Sequence, residues 1–167
     1  PEWLIQFFEK KYGMEQSKKI LKAFNTVPDT CIRVNTLKIT TDAIKKQLKL
    51  KNISVEDIPY IQEGLSIKTG ADTLFSEFLQ TGLLYVQTAS SMIPAKVLGP
   101  DAGDHVLDMC AAPGSKTTHI AALMGNRGSI DAWDVYPHKV KLIKDNAKRL
   151  GISIIHTEVR DSVKPLP

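Results

Sequence analysis

Val106-Leu107-Asp108-Met109-Cys110-Ala111-Ala112-Pro113-Gly114-Ser115-Lys116-Thr117-Thr118 decides how this chain folds. Its first four residues suit a short, mostly apolar strand, Cys110 to Lys116 is a turn of mainly small residues, and Thr117 to Met124 has the spacing of a helix. A strand passing through such a turn into a helix opens a βαβ unit, and the following residues continue the alternation. Ser129 to Asp134 reads as a second strand. Pro137 stands where the first turn of a helix tolerates proline, Val140, Ile143, Ala147 and Leu150 form one apolar stripe, and Gly151 closes the helix before a third strand from Ile152 to Val159. This order predicts a parallel sheet wound as half of a Rossmann-like fold.

Upstream the pattern differs. Trp3, Leu4, Phe7, Phe8, Ile20, Leu21 and Phe24 recur at helical spacing with lysines between them, and Gly13 splits the segment into two short helices. After the turn cluster Asn25 to Asp29, residues 31–37 alternate like a strand. Thr41 is placed to cap a helix running to about Lys51, with Ile44, Leu48 and Leu50 inward. Strand-like pieces at 53–55, 65–67 and 83–86 complete a small α+β unit with an antiparallel sheet. A helix from Ser90 to Leu98 ends at Gly99-Pro100. The expected organisation is a helical segment over 1–28, a small α+β domain over 29–86, and the N-terminal half of a Rossmann-like domain over 87–167.

The 167 residues, 43% apolar and 24% charged, fit one or two small globular domains with a real core. No apolar run approaches the ~18 residues of a membrane span, and Pro1-Glu2-Trp3-Leu4 lacks the basic start of a signal peptide. Two cysteines, Cys31 and Cys110, are too few for a disulfide framework or a zinc cluster, so a cytoplasmic location with neither membrane nor metal partner is expected. The charge excess of +4 falls in residues 1–60, which carry 11 Lys and Arg against 7 Asp and Glu. Such an excess fits either a polyanion-binding module or solvated helix faces.

Parallel α/β sheets bind ligands beyond the carboxyl ends of their strands. The small turn after the first strand lets a ligand reach the backbone, although small residues there also serve packing. A P-loop is excluded because no glycine stands five places before Gly114, and the Gly-x-Gly-x-x-Gly dinucleotide fingerprint is absent. Asp134, ending the second strand, is placed to accept from both hydroxyls of a ribose, and Asp161, after the third, to accept from an adenine amino group. The ordered trio matches an adenosine cofactor lying across the strand tips.

The stretch from Val106 to Thr118 closely resembles the S-adenosylmethionine loop of the Sun family of RNA 5-methylcytosine methyltransferases. The resemblance extends through Gln87-Thr88-Ala89-Ser90-Ser91-Met92 and Arg33-Val34-Asn35-Thr36-Leu37-Lys38 to the opening Pro1-Glu2-Trp3-Leu4, which is most like the bacterial subgroup acting on small-subunit ribosomal RNA. It implies a partial Rossmann-like methyltransferase sheet preceded by a small RNA-recognition-motif-like domain. It also implies a cofactor site made by Cys110, Ala111, Ala112, Pro113, Gly114, Ser115 and Lys116, with Asp134 on the ribose and Asp161 near the adenine. RNA, most naturally ribosomal RNA, is the implied partner; Arg33 and Lys38, flanking a strand of the small domain ahead of the lysine-rich segment 45–51, are expected to contact its phosphates, with Asn35 as a further contact. Ser115 stands where the family usually has glycine, Trp133 where it has a small aliphatic residue, and Lys139 where it often has arginine.

Family chemistry uses a cysteine thiolate on cytosine carbon 6 and a second cysteine for release, and the resemblance places both in motifs that would lie beyond Pro167. Cys31 opens a strand and Cys110 belongs to the turn, and each reads as a small buried hydrophobe. No catalytic residue is therefore expected between Pro1 and Pro167, and the chain by itself is expected to be inactive. The alternative reading is a non-catalytic RNA-binding module that retains the fold.

Overall fold

The computed structural model describes residues 1–69 and 75–164. Pro165, Leu166 and Pro167, with which the expected third part closes, lie outside the described residues. In chain order the elements are α1 (Glu2–Tyr12), α2 (Met14–Phe24), β1 (Cys31–Val34), α3 (Thr41–Leu50), β2 (Ser54–Ile58), β3 (Ile61–Thr69), α4 (Phe75–Gln80), β4 (Leu84–Val86), α5 (Ala89–Leu98), β5 (His105–Asp108), α6 (Ser115–Leu123), β6 (Ser129–Asp134), α7 (Pro137–Leu150) and β7 (Ile155–Val159).

From β1 to β4 the order is βαββαβ, and the four strands form an antiparallel sheet in the order β2-β3-β1-β4. Period-2 alternation sends Ile32 and Val34 of β1 into a core with Leu65, Ile67 and Leu84 from neighbouring strands, closed by Ile44 and Leu48 of α3 and Phe78 of α4. Arg33 between them takes the opposite face, paired across the sheet with Gly64 and Tyr85. That face meets α5: a Cβ on Gly64 would come within 3.2 Å of the Met92 sulfur.

Two local expectations are corrected. Thr40, not Thr41, caps α3 by accepting the Ala43 N–H at 3.3 Å, while the Thr41 hydroxyl donates to the Gln62 carbonyl. Leu50 is exposed, because it lies a half-turn from the Ile44–Leu48 stripe. At the N-terminus, α1 buries none of its residues, and its Phe7, Phe8 and Tyr12 rings cluster with one another and with Phe24 of α2.

The second sheet is parallel, in the order β5-β6-β7, as its alternating pattern predicts. The expected stripe of α7 is its buried face: Ala147 and Leu150 pack with Ile120, Ala121 and Met124 around Ile130, while Ile143 packs with Ala111 and Ala132. Pro137 opens α7 and Gly151, at φ 76°, ends it. At the sheet's edge, β5 lines an open groove of about 500 Å³ between α5 and α6, where Leu107 and Met109 remain exposed. Among the described residues no helix is long and apolar enough to cross a membrane.

Candidate functional site at the strand tips

The turn between β5 and α6 is built from its own backbone. Asp108, ending β5, accepts the Cys110 N–H at 3.3 Å and the Thr117 hydroxyl at 2.6 Å, closing both ends of the turn on one carboxylate. The Gly114 N–H donates to the Ala111 carbonyl at 2.7 Å, and Gly114 adopts φ 98°, a conformation that favours glycine. Its Cα also lies close against α7, where an added Cβ would be 3.3 Å from the Ile143 Cα. From α7, Asn146 donates to the Pro113 carbonyl at 2.9 Å. Gly114 is the N-cap of α6 and supplies no side-chain cap, so the helix begins without a side-chain acceptor for its first N–H groups.

The neighbouring strand tips are tied to this turn. The Ala111 N–H donates to the Trp133 carbonyl of β6, and the Ala112 N–H donates to Asp134 Oδ2 at 3.2 Å. The other Asp134 oxygen accepts the Tyr136 N–H at 3.3 Å, which fixes the carboxylate with lone pairs to spare. After β7, the Arg160 N–H donates to the Asp134 carbonyl, and Asp161 accepts the Val163 N–H. The Ser162 hydroxyl reaches the Met109 carbonyl at 2.8 Å, closing the circuit from the third strand to the first. The structure thus brings Ala111 to Ser115, Asp134 and Asp161 to one edge. Lys116 turns toward α5, where its ammonium lies 3.2 Å from the Ser91 hydroxyl.

Trp133 is half-buried, and the Arg160 guanidinium lies 4.5 Å from its ring centroid, so the bulky residue is accommodated by a cationic cover. Both cysteines are free; Cys110 is exposed and Cys31 partly so, which corrects the expectation that each is a buried hydrophobe. Among the described residues no group of His, Cys, Asp and Glu is arranged to hold a metal ion.

Of the three expected RNA contacts, Arg33 and Asn35 are buried and Lys38 is exposed. Arg33 is 2% exposed and donates to Gln87 Oε1, to the Ser115 carbonyl at 2.6 Å and to the Thr118 hydroxyl at 2.9 Å. Burial pulls its guanidinium down to about 10, against the field of Tyr85 and Glu63, leaving it protonated at neutral pH. Asn35, also buried, donates to the Gly82 and Leu150 carbonyls. Lys38 is exposed but spans the Thr81 and Arg149 carbonyls. Arg33 and Asn35 are therefore interior ties between the two sheets' units, withdrawn from any phosphate, and Lys38 is anchored in the same seam.

Sequence reasoning missed two further members of that seam. Glu63 of β3 and His119 of α6 are both buried and meet at 2.6 Å, with Lys96 of α5 at 3.4 Å from Glu63. Burial opposes ionisation of Glu63, but the His119 hydrogen bond and the Lys96 charge outweigh it and hold the carboxyl at about 2. Burial likewise pulls the imidazole below its ordinary range despite Glu63. A neutral His119 donates from Nε2, leaving Nδ1 without a partner among the described residues.

Comparison with known proteins gives a consistent assignment. The family model for 16S rRNA methyltransferase RsmB/F matches residues 95–165, and that for the RsmF/B-like ferredoxin-like domain matches residues 1–73. The chain is 39% identical over 164 residues to the probable ribosomal RNA small subunit methyltransferase B of Bacillus subtilis, covering 98% of this chain and 36% of that protein. A methyltransferase homologue from Pyrococcus horikoshii, known by crystallography, is 36% identical with a TM-score of 0.86, covering 91% of this chain and 50% of that one. NSun6 from the same organism, solved with SFG, shares the fold at a TM-score of 0.87, with 22% identity, covering 96% of this chain and 65% of that one. The chain spans about a third of the length of the curated relatives it matches.

Proposed function

The chain belongs to the RsmB/F methyltransferase family, and from that premise we propose that it supplies the first half of an S-adenosylmethionine site in an enzyme methylating carbon 5 of cytosine in ribosomal RNA. The observation that carries this reading is the carboxylate of Asp134, held by the N–H of Ala112 from the very turn that opens α6. The residues present fit the cofactor. An α6 start without side-chain cap suits a carboxylate-bearing amino acid, and acids at adjacent strand tips suit a ribose and an adenine amino group.

In this reading the backbone of residues 111–115 receives the methionine moiety, Asp134 accepts from the ribose hydroxyls and Asp161 from the adenine amino group. Lys116 borders the site from the α5 side. The cofactor, when bound, supplies an electrophilic methyl group; this chain's residues orient it. The small domain over 29–86 and the methyltransferase half from residue 87 are proposed as the working units. We assign neither cysteine as the nucleophile, since Cys110 belongs to the turn and Cys31 to the small sheet, so the residues from Pro1 to Pro167 transfer no methyl group by themselves.

Titration calorimetry with S-adenosylmethionine tests the reading. Asp134→Ala removes charge-assisted hydrogen bonds worth about 1.5–3 kcal/mol each, so affinity falls tenfold or more. Asp134→Asn keeps an acceptor for Ala112 and separates loss of charge from loss of the turn. Unchanged affinity in a folded Asp134→Ala protein removes Asp134 from the site.

A further inference from the structure

Cations cross the seam at two helix ends with opposite electrostatics. Lys38 donates to the Arg149 carbonyl in the last turn of α7, where helix carbonyls lack partners and a positive charge is favoured. Arg33 meets Ser115 and Thr118 in the first turn of α6, where the helix already presents its positive end. Burying a guanidinium there carries a desolvation cost and works against the helix dipole, and among the described residues no carboxylate is in ion-pair contact with it. Helix stability does not account for the placement.

Its three acceptors do. Ser115 is the residue on which the cofactor turn ends, and the Thr118 hydroxyl that Arg33 holds also lies 2.6 Å from the Gly114 carbonyl, to which it donates. Gln87, the third acceptor, donates onward to the Ser91 carbonyl of α5, so β1, α5 and α6 converge on one side chain. The Tyr85 ring closes the other side at 5.0 Å. A planar fork with fixed donors suits this holding of several acceptors at once better than a lysine would.

We infer that Arg33 is a positioning residue for the methionine end of the cofactor: from the small sheet it fixes the Gly114–Thr118 turn and adds a buried positive charge behind the place where the cofactor's carboxylate arrives. The inference rests on the cofactor reading above. It makes the small domain part of the cofactor site, with Arg33 acting through the turn.

Because the effect is confined to the amino-acid end, two probes distinguish it from general loosening. Arg33→Met in the full chain should weaken S-adenosylhomocysteine about tenfold or more, while adenosine, which lacks the amino acid, stays within about twofold. Arg33→Lys should restore part of the charge effect but little of the geometry. Thr118→Val removes an acceptor without burying an altered cation; it should show the same selective loss, smaller in size, and supplies the measurement if Arg33→Met does not fold. Equal weakening of both probes, or of neither in a folded variant, overturns the inference. Asp134→Ala should instead weaken both. A wild-type chain that binds neither probe refutes the cofactor reading itself.

Discussion

At the seam between the two sheets, the donors of Arg33, Asn35 and Lys38 end on protein acceptors, and Glu63 is answered by His119 and Lys96. At the strand tips, each Asp134 carboxylate oxygen and Asp161 Oδ1 accept a single backbone N–H, with the exposed Lys164 at 3.9 Å from Asp161, and among the described residues no side chain caps α6. Both regions are polar, and both lie where one element hands over to another. The seam is polar and, apart from His119 Nδ1 among the described residues, is satisfied by its own groups; the tips are polar with hydrogen-bonding capacity left over. Near-complete saturation by the protein's own buried groups marks architecture, and spare capacity on fixed carboxylates at the strand tips marks a site for something else.

The comparison breaks most easily at Gly82. It sits at φ 70°, and an added Cβ would lie 2.1 Å from the Arg149 carbonyl oxygen, far inside contact distance with backbone that cannot swing away. Gly82→Ala should therefore push α7 from the small sheet and strain the turn, destabilising the chain by roughly 3 kcal/mol or more. For a domain of this size that lowers Tm by roughly 6–12 °C, readable in a thermal melt. A shift below about 2 °C would show that the seam is looser than its hydrogen bonds imply.

The same contrast explains what the sequence made legible. The parallel sheet and the α7 stripe of Val140, Ile143, Ala147 and Leu150 follow from periodicity, because apolar burial repeats at a fixed interval. The strand-tip acids follow from position along the strands. Arg33 does not, since a basic residue in a basic half looks like a phosphate contact until alternation is read strictly: Ile32 and Val34 are buried on one face, so burial of Arg33 requires the opposite face to be covered too. That cover comes from α5 and α6, more than 50 residues away, which no local pattern reports. Helix α4 carried a readable signal in Phe75, Phe78 and Leu79 at helical spacing, but six residues are too few to dominate a window.

A smaller effect should appear on acidification. Glu63 is held at about 2 in the folded chain against 4.5 normally, so its contribution is present at neutral pH and lost as pH falls from about 4.5 toward 2. His119 has a lowered folded pKa; its unfolded form gains a proton first, so stability begins to fall earlier, below about 6.5. Both groups therefore weaken the seam as pH drops; Arg33 and Lys96 are the cations that face them, and the Arg33 guanidinium stays protonated throughout. Denaturant midpoints at pH 7, 5 and 3 should decline in two stages, the later one about 2 kcal/mol by pH 3. Glu63→Gln should be less stable at pH 7 and show a flatter decline below pH 4.5. An unaltered slope in that variant would place the acid sensitivity outside the seam.

The smallest effect is expected at Ser115, where the family pattern has glycine. The atoms that matter at this position are backbone: its carbonyl accepts from Arg33, and its N–H lies in the first turn of α6, where no intrahelical acceptor precedes it. Gly114, the residue before it, already supplies the positive φ that the turn requires, so a second glycine adds freedom that the fold does not use. Ser115→Gly should change cofactor affinity by no more than about twofold, and stability by about 0.5 kcal/mol or less, since first-turn positions are tolerant. Calorimetry and a thermal melt on the same preparation measure both. A tenfold gain in affinity would mean that the serine side chain obstructs the turn. The strand tips would then be tuned by side chains as well as backbone, and the distinction between a saturated seam and a backbone-built site would need redrawing at this residue.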